Sequence, residues 1–203
     1  MNLFRAWRLQ TVLPWLLIVC GTIGLLAAAI IMIEKVELLQ NPNATFLCDL
    51  NPVVSCGSVM STDQSNAFGF PNPIIGLAAF PVIITTGVMM LAGAQLKRWY
   101  WLGLQFGTIF GIGFIHWLFF QSVYSINALC PYCMAVWVVT ITTFWYVTLY
   151  NIEKGYIKLP ASLQSAGRFA RRHHMDILLL WFLIIAGLIL NHFWYYYGPL
   201  LGF

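Results

Sequence analysis

Five long apolar runs, parted by polar segments, constrain this chain more than any other feature. Residues 14–33, 73–96, 101–124, 130–150 and 177–197 contain no Asp, Glu, Lys or Arg. Each is long enough to cross a bilayer as a helix. In lipid the backbone must satisfy its own hydrogen bonds, so such runs form helices. Only 8% of the residues are charged, against about 25% in a soluble domain. The expected fold class is an all-α membrane protein with five transmembrane helices in a single domain over 1–203. The first run exceeds the apolar core of a secretory leader, about 7–15 residues. It therefore reads as a retained helix.

The basic residues orient the spans. The chain has ten Lys and Arg. A five-span threading puts Arg5, Arg8, Lys97, Arg98, Lys154, Lys158, Arg168, Arg171 and Arg172 on one side. Only Lys35 falls on the other. Positive charge collects in cytoplasmic segments, so the N-terminus is expected in the cytoplasm and the C-terminus outside. The net charge of +4 is thus sorted by membrane side and gives no signal for nucleic acid. Residues 151–176 form the basic cytoplasmic loop. Residues 34–72 form a long outer loop, rich in Pro, Asn and Ser but carrying Phe46, Leu47, Leu50, Val53, Val54, Phe68 and Phe70. Long loops without regular structure are usually functional or disordered. The apolar content argues for a lid folded onto the bundle. Gly103, Gly107 and Gly111 repeat every four residues in the third span, a pattern that predicts close packing against another helix.

Four of the five cysteines fall in two close pairs, Cys48/Cys56 and Cys130/Cys133. The threading places both pairs outside, in the oxidising compartment. Cys130-Pro131-Tyr132-Cys133 opens the fourth span. Pro131 suits the first turn, and the helix N-terminus favours thiolate. Two dithiols in one compartment suggest electron relay by thiol–disulfide exchange. The fourth helix runs inward, so Cys133 lies about 4.5 Å deeper than Cys130, at 1.5 Å rise per residue. Cys130 is then placed to meet the loop cysteines, and Cys133 to meet a lipid-soluble two-electron acceptor, most simply a quinone. Two other readings compete: a zinc site on the four cysteines, and a pair of structural disulfides. Cys20, in the cytoplasmic half of the first span, reads as a small apolar residue. His116 in the third span is either a satisfied intramembrane polar group or a tuner of a quinone oxygen.

The run Cys48-Asp49-Leu50-Asn51-Pro52-Val53-Val54-Ser55-Cys56-Gly57-Ser58-Val59-Met60 resembles the loop of bacterial vitamin K epoxide reductase homologues. So do Phe68-Gly69-Phe70-Pro71-Asn72-Pro73-Ile74-Ile75-Gly76 and Asn127-Ala128-Leu129-Cys130-Pro131-Tyr132-Cys133. The resemblance covers roughly residues 14–150. It implies a four-helix bundle around a quinone, menaquinone or ubiquinone, plus one additional helix. The setting it implies is the bacterial cytoplasmic membrane. It implies that Cys48 exchanges with a thioredoxin-like extracytoplasmic partner, Cys56 passes electrons to Cys130, and Cys133 contacts the quinone. Asn72 matches an Asn that hydrogen-bonds a quinone carbonyl, and Ser61 or Thr62 matches a hydroxyl position in the loop. Trp137 stands where animal members carry a tyrosine. That loses a hydroxyl contact and favours a quinone over vitamin K epoxide as substrate. Some bacterial members continue into a fused thioredoxin domain. This chain stops at Phe203, so the partner is expected to be a separate protein. No resident metal is expected.

Overall fold

The computed structural model describes residues 9–158 and 160–200. Arg5 and Arg8, part of the charge argument, lie outside the described residues. Among the described residues the chain is helical, without a strand. Five helices are long and apolar enough to cross a membrane: α1 (Leu9–Gln40), α3 (Pro73–Leu91), α4 (Arg98–Phe120), α5 (Pro131–Glu153) and α7 (His174–His192). Shorter pieces join or follow them: α2 (Cys56–Met60), α6 (Gln164–Arg172) and, after α7, α8 (Trp194–Leu200). The protein is a multi-pass, all-α membrane protein.

The expected spans differ from these helices mainly at their ends. The first was expected over 14–33, but α1 continues to Gln40. A helix satisfies its backbone internally in water as in lipid, so polarity alone does not end it. The outer loop therefore begins at 41, not 34. The second span was expected to reach 96, but α3 stops at Leu91. Gly93 adopts φ 79° and its N–H bonds back to Met90, a left-handed helix stop. The third span runs on through a π-helical segment, Gln121–Ile126. It ends at Asn127, which is left-handed at φ 58°. The last was expected over 177–197, but α7 ends at His192 and the chain restarts as α8 after Phe193.

α1 packs against α3 and α5, and α4 packs against α5. Glycines make the first of these seams. A Cβ on Gly87 would come within 2.6 Å of the Pro14 carbonyl oxygen, and one on Gly24 within 2.3 Å of the Phe80 ring. The predicted seam on α4 holds only at Gly111, where a Cβ would come within 3.3 Å of Thr140 Cγ2 on α5. A Cβ on Gly103 or Gly107 would meet nothing within 4 Å. That face, with Gly111, lines a cavity of about 540 Å³ bounded by α1, α3, α4 and α5. At Gly103 and Gly107 the same periodicity serves as clearance instead of contact. α7 lies outside the four, with Trp181, Phe182, Ile185, Ile189 and Phe193 packed on the apolar cluster of α4 and α5.

Candidate active site

The outer loop is held in shape by short-range polar contacts. Asp49 accepts hydrogen bonds from the Phe46 and Gly57 N–H groups, at 3.0 Å each, and from the Ser55 hydroxyl at 2.8 Å. Partial desolvation pushes the Asp49 carboxyl up, but these donors outweigh it and hold the group below its ordinary value. Asn51 Oδ1 accepts from the N–H groups of Val53 and Val54. Ser55 caps α2 by accepting from Ser58 N–H. Within this frame Cys48 and Cys56 form a disulfide, and both are buried.

A single parallel bridge, Val54 with Leu129, brings the two cysteine pairs together. Leu129 N–H donates to Val53 O at 2.7 Å, and Ser55 N–H donates to Leu129 O at 3.0 Å. Cys56 lies two residues beyond one side of the bridge and Cys130 one beyond the other. Cys56 Sγ consequently sits 3.3 Å from Cys130 Sγ. The turn before Cys130 is set by the left-handed Asn127 and by Ser122, whose hydroxyl donates to Ala128 O.

Cys130 is the N-cap of α5, with Pro131 following, and its sulfur accepts from Cys133 N–H. The thiol is held below its ordinary value, first by the hydrogen bond from the Cys133 side chain. Burial and the Glu34 charge oppose this; the N–H groups of Cys133 and Tyr132 assist it. Cys130 and Cys133 are free thiols, Cys130 buried and Cys133 half-buried. Cys133 lines the cavity and Cys130 does not. One thiol therefore faces the loop disulfide and the other faces the apolar cavity.

The remaining candidates divide. Asn72, Thr62 and Trp137 line the cavity. Trp137 is buried and packs edge-on to Phe119. The Asn72 side chain also ties the roof of the cavity together: Nδ2 donates to Gln64 O at 2.7 Å and Oδ1 accepts from Ala67 N–H at 3.0 Å. Its second amide hydrogen is left over for a ligand. Ser61 is exposed, donates to Ser58 O and does not line the cavity. His116 is likewise displaced from the cavity. Its Nδ1–H donates to Ile112 O, and its Nε2 accepts from Trp181 Nε1–H at 3.1 Å. The first bond stays within α4 and the second joins α4 to α7, so both ring nitrogens are occupied. Cys20 packs beside Ala28, Phe80 and Val139.

Two residues enter the site unforeseen, Glu34 and Lys35. Both lie on the part of α1 that was read as loop. Glu34 Oε2 is 3.6 Å from Cys48 Sγ. Lys35 is buried, lines the cavity, and donates to Met60 O and Ser65 Oγ. Consecutive charges at the end of a long apolar run are the signal that could have pointed to them. The acceptor atoms of Glu34, Cys48 and Cys56 lie within 4.8 Å of one another. Two of these three are bonded to each other as a disulfide, which removes the thiolates a zinc ion needs.

A bundle of membrane helices that sets a disulfide against a buried thiol, and a second thiol against an apolar cavity, defines a membrane thiol–disulfide oxidoreductase. The family model of the vitamin K epoxide reductase family matches residues 15–148. The chain belongs to that family. No curated protein matches the sequence.

Proposed function

We propose that the protein passes electrons from a thioredoxin-like extracytoplasmic protein to a membrane quinone, and so regenerates disulfide-forming capacity. The observation that carries this reading is the placement of Cys130 Sγ 3.3 Å from Cys56 Sγ while Cys133 lines the cavity. The partner reduces the Cys48–Cys56 disulfide through Cys48. Cys56 then attacks the Cys130–Cys133 disulfide at Cys130, and Cys48 resolves the mixed disulfide. The result is a closed loop disulfide beside a Cys130/Cys133 dithiol, the redox state found here. That dithiol delivers two electrons to the acceptor in the cavity.

The residues present fit a quinone. The cavity volume falls within the range of small-molecule sites, about 300–1,000 Å³. Asn72 offers one amide hydrogen to a cavity that Cys133, Thr62 and Trp137 also line. The bare face of Gly103 and Gly107 leaves room for an isoprenoid tail. A bound quinone supplies the two-electron, two-proton acceptor. The residues' part is to orient its ring, hold the Cys133 thiol against it and keep water out. The bias of the basic residues supports an outer position for the cysteines, and the family resemblance supports a bacterial cytoplasmic membrane as the setting.

Quinone reduction by the purified chain with a dithiol donor tests the reading. Cys133→Ala should abolish turnover while leaving the helical content and thermal unfolding unchanged. Turnover at the normal rate in that variant would remove Cys133 from the site. Cys48→Ala should accumulate a Cys56–Cys130 bridge, visible by peptide mapping. A Cys48–Cys133 bridge in the unmutated chain would overturn the order of transfer.

A further inference from the structure

The loop disulfide has a carboxylate at its shoulder that the relay above leaves idle. Glu34 Oε2 and Oε1 lie 3.6 and 4.0 Å from Cys48 Sγ. Cys48 is only 5% exposed and shares an apolar cluster with Ile31, Phe46 and Met60. A thiol in such surroundings resists ionisation. Water has little access to it. Yet Cys48 must lose a proton each time it closes the disulfide. Glu34 is half-exposed, so it has a path to outer water that Cys48 lacks. The charged and titratable groups that face it are the carboxylates of Asp49 and Glu37 and the thiols of Cys130 and Cys133. Lys35, its neighbour in sequence, points to Met60 O and Ser65 Oγ instead.

We propose that Glu34 is the proton acceptor and donor of the loop dithiol, taking the proton from Cys48 as the disulfide closes and returning it as the disulfide opens. The inference rests on the relay proposed above. The step begins from the Cys56–Cys130 mixed disulfide. The Cys48 thiol gives its proton to Glu34, and its sulfur attacks Cys56 Sγ. The Cys48–Cys56 bond forms and the Cys56–Cys130 bond breaks. Cys130 leaves with the electron pair as a thiolate, held by the donors at the start of α5. The two electrons of the loop dithiol now reside on Cys130 and Cys133, so no further oxidant is needed. The proton on Glu34 passes to outer water. In the opening by the partner, a partner thiolate attacks Cys48 and Cys56 leaves as a thiolate; when the partner's second thiol resolves that adduct, Cys48 departs as a thiolate and takes a proton from Glu34.

The test uses the full chain, Glu34→Gln and Glu34→Asp. Each protein is fully reduced, then oxidised with excess quinone, and quenched by alkylation at timed intervals. Mass spectrometry reads the free loop thiols. Glu34→Gln should slow closure of Cys48–Cys56 about a hundredfold, the ordinary scale of general-base catalysis. It should also remove the rise of that rate through the carboxylate's titration, leaving only the rise that follows ionisation of Cys48 itself. Glu34→Asp should restore most of the rate. A second readout separates chemistry from mere support. In the reduced protein, the pH midpoint of Cys48 alkylation should fall in Glu34→Gln, because a negative neighbour has gone. A variant that closes more slowly while its thiol ionises more easily has lost a base. Closure at the normal rate overturns the proposal, as does slower closure with an unchanged pH profile and midpoint. If the unmutated chain fails to reduce quinone, the relay is wrong. Diamide then replaces quinone as oxidant, and the same closure rates still decide the role of Glu34.

Discussion

Two sets of glycines divide this molecule. Gly21, Gly24 and Gly87 let α1 and α3 touch: a Cβ on Gly87 would lie 2.6 Å from a backbone oxygen and one on Gly21 2.7 Å from Ile84. Gly103 and Gly107 on α4 meet nothing. Their face opens on the cavity, and small side chains there supply volume. A stripe of small residues reports how much room a helix leaves. Whether a neighbour or a ligand takes that room depends on the partners of the helix: of the three α4 glycines only Gly111 comes up against α5, at Thr140.

Substitutions at the two sets should therefore part company. Gly87→Leu carries the largest expected effect. Its Cβ alone collides with α1 backbone, so the loss should reach the upper end of overpacking costs, about 3 kcal/mol, read as a fall in unfolding temperature. Gly107→Leu should leave that temperature unchanged and raise the KM for quinone at least tenfold, worth about 1.4 kcal/mol. Equal losses of stability at the two positions would dissolve the distinction. Asn72→Ala tests the roof of the same cavity. It removes the bonds to Gln64 and Ala67 together with the donor proposed for a quinone carbonyl. At about 0.5–1.5 kcal/mol per bond, KM should rise up to about tenfold, in steady-state assays at limiting quinone. Gly107→Ala is the mildest. The added methyl enters open space and improves helix propensity, so stability should rise by up to about 1 kcal/mol. A fall in thermal unfolding would mean that the α4 face is packed after all.

Much of the architecture was legible in the sequence because it depends on composition averaged over a helix. The apolar runs located the spans, and the spacing of Cys48/Cys56 and Cys130/Cys133 located the redox pairs. Features that depend on direction were hidden. Hydropathy placed Glu34 and Lys35 in a loop because they are charged, yet α1 carries them onward. Being about 100° apart around the helix, they serve opposite ends of the site, one at Cys48 and one at the roof. The meeting of Cys56 with Cys130 rests on one bridge between Val54 and Leu129. No local pattern marks such a bridge, since each partner is an ordinary apolar residue. His116 could not be assigned from sequence because its partner, Trp181, lies 65 residues away.

The bonds that Asp49 makes to Phe46, Ser55 and Gly57 span the interval between Cys48 and Cys56, and none of them involves sulfur. They can persist when the disulfide is open. The two thiols then stay near one another at a high effective molarity, the quantity that governs how readily an intramolecular bond forms. A dithiol so confined is a stronger reductant than the same thiols on a slack chain. On the proposed relay, the clamp biases the loop toward giving its electrons up to Cys130 and Cys133. By its carboxylate alone, Asp49 would help set the direction of flow through a protein whose electrons it never touches.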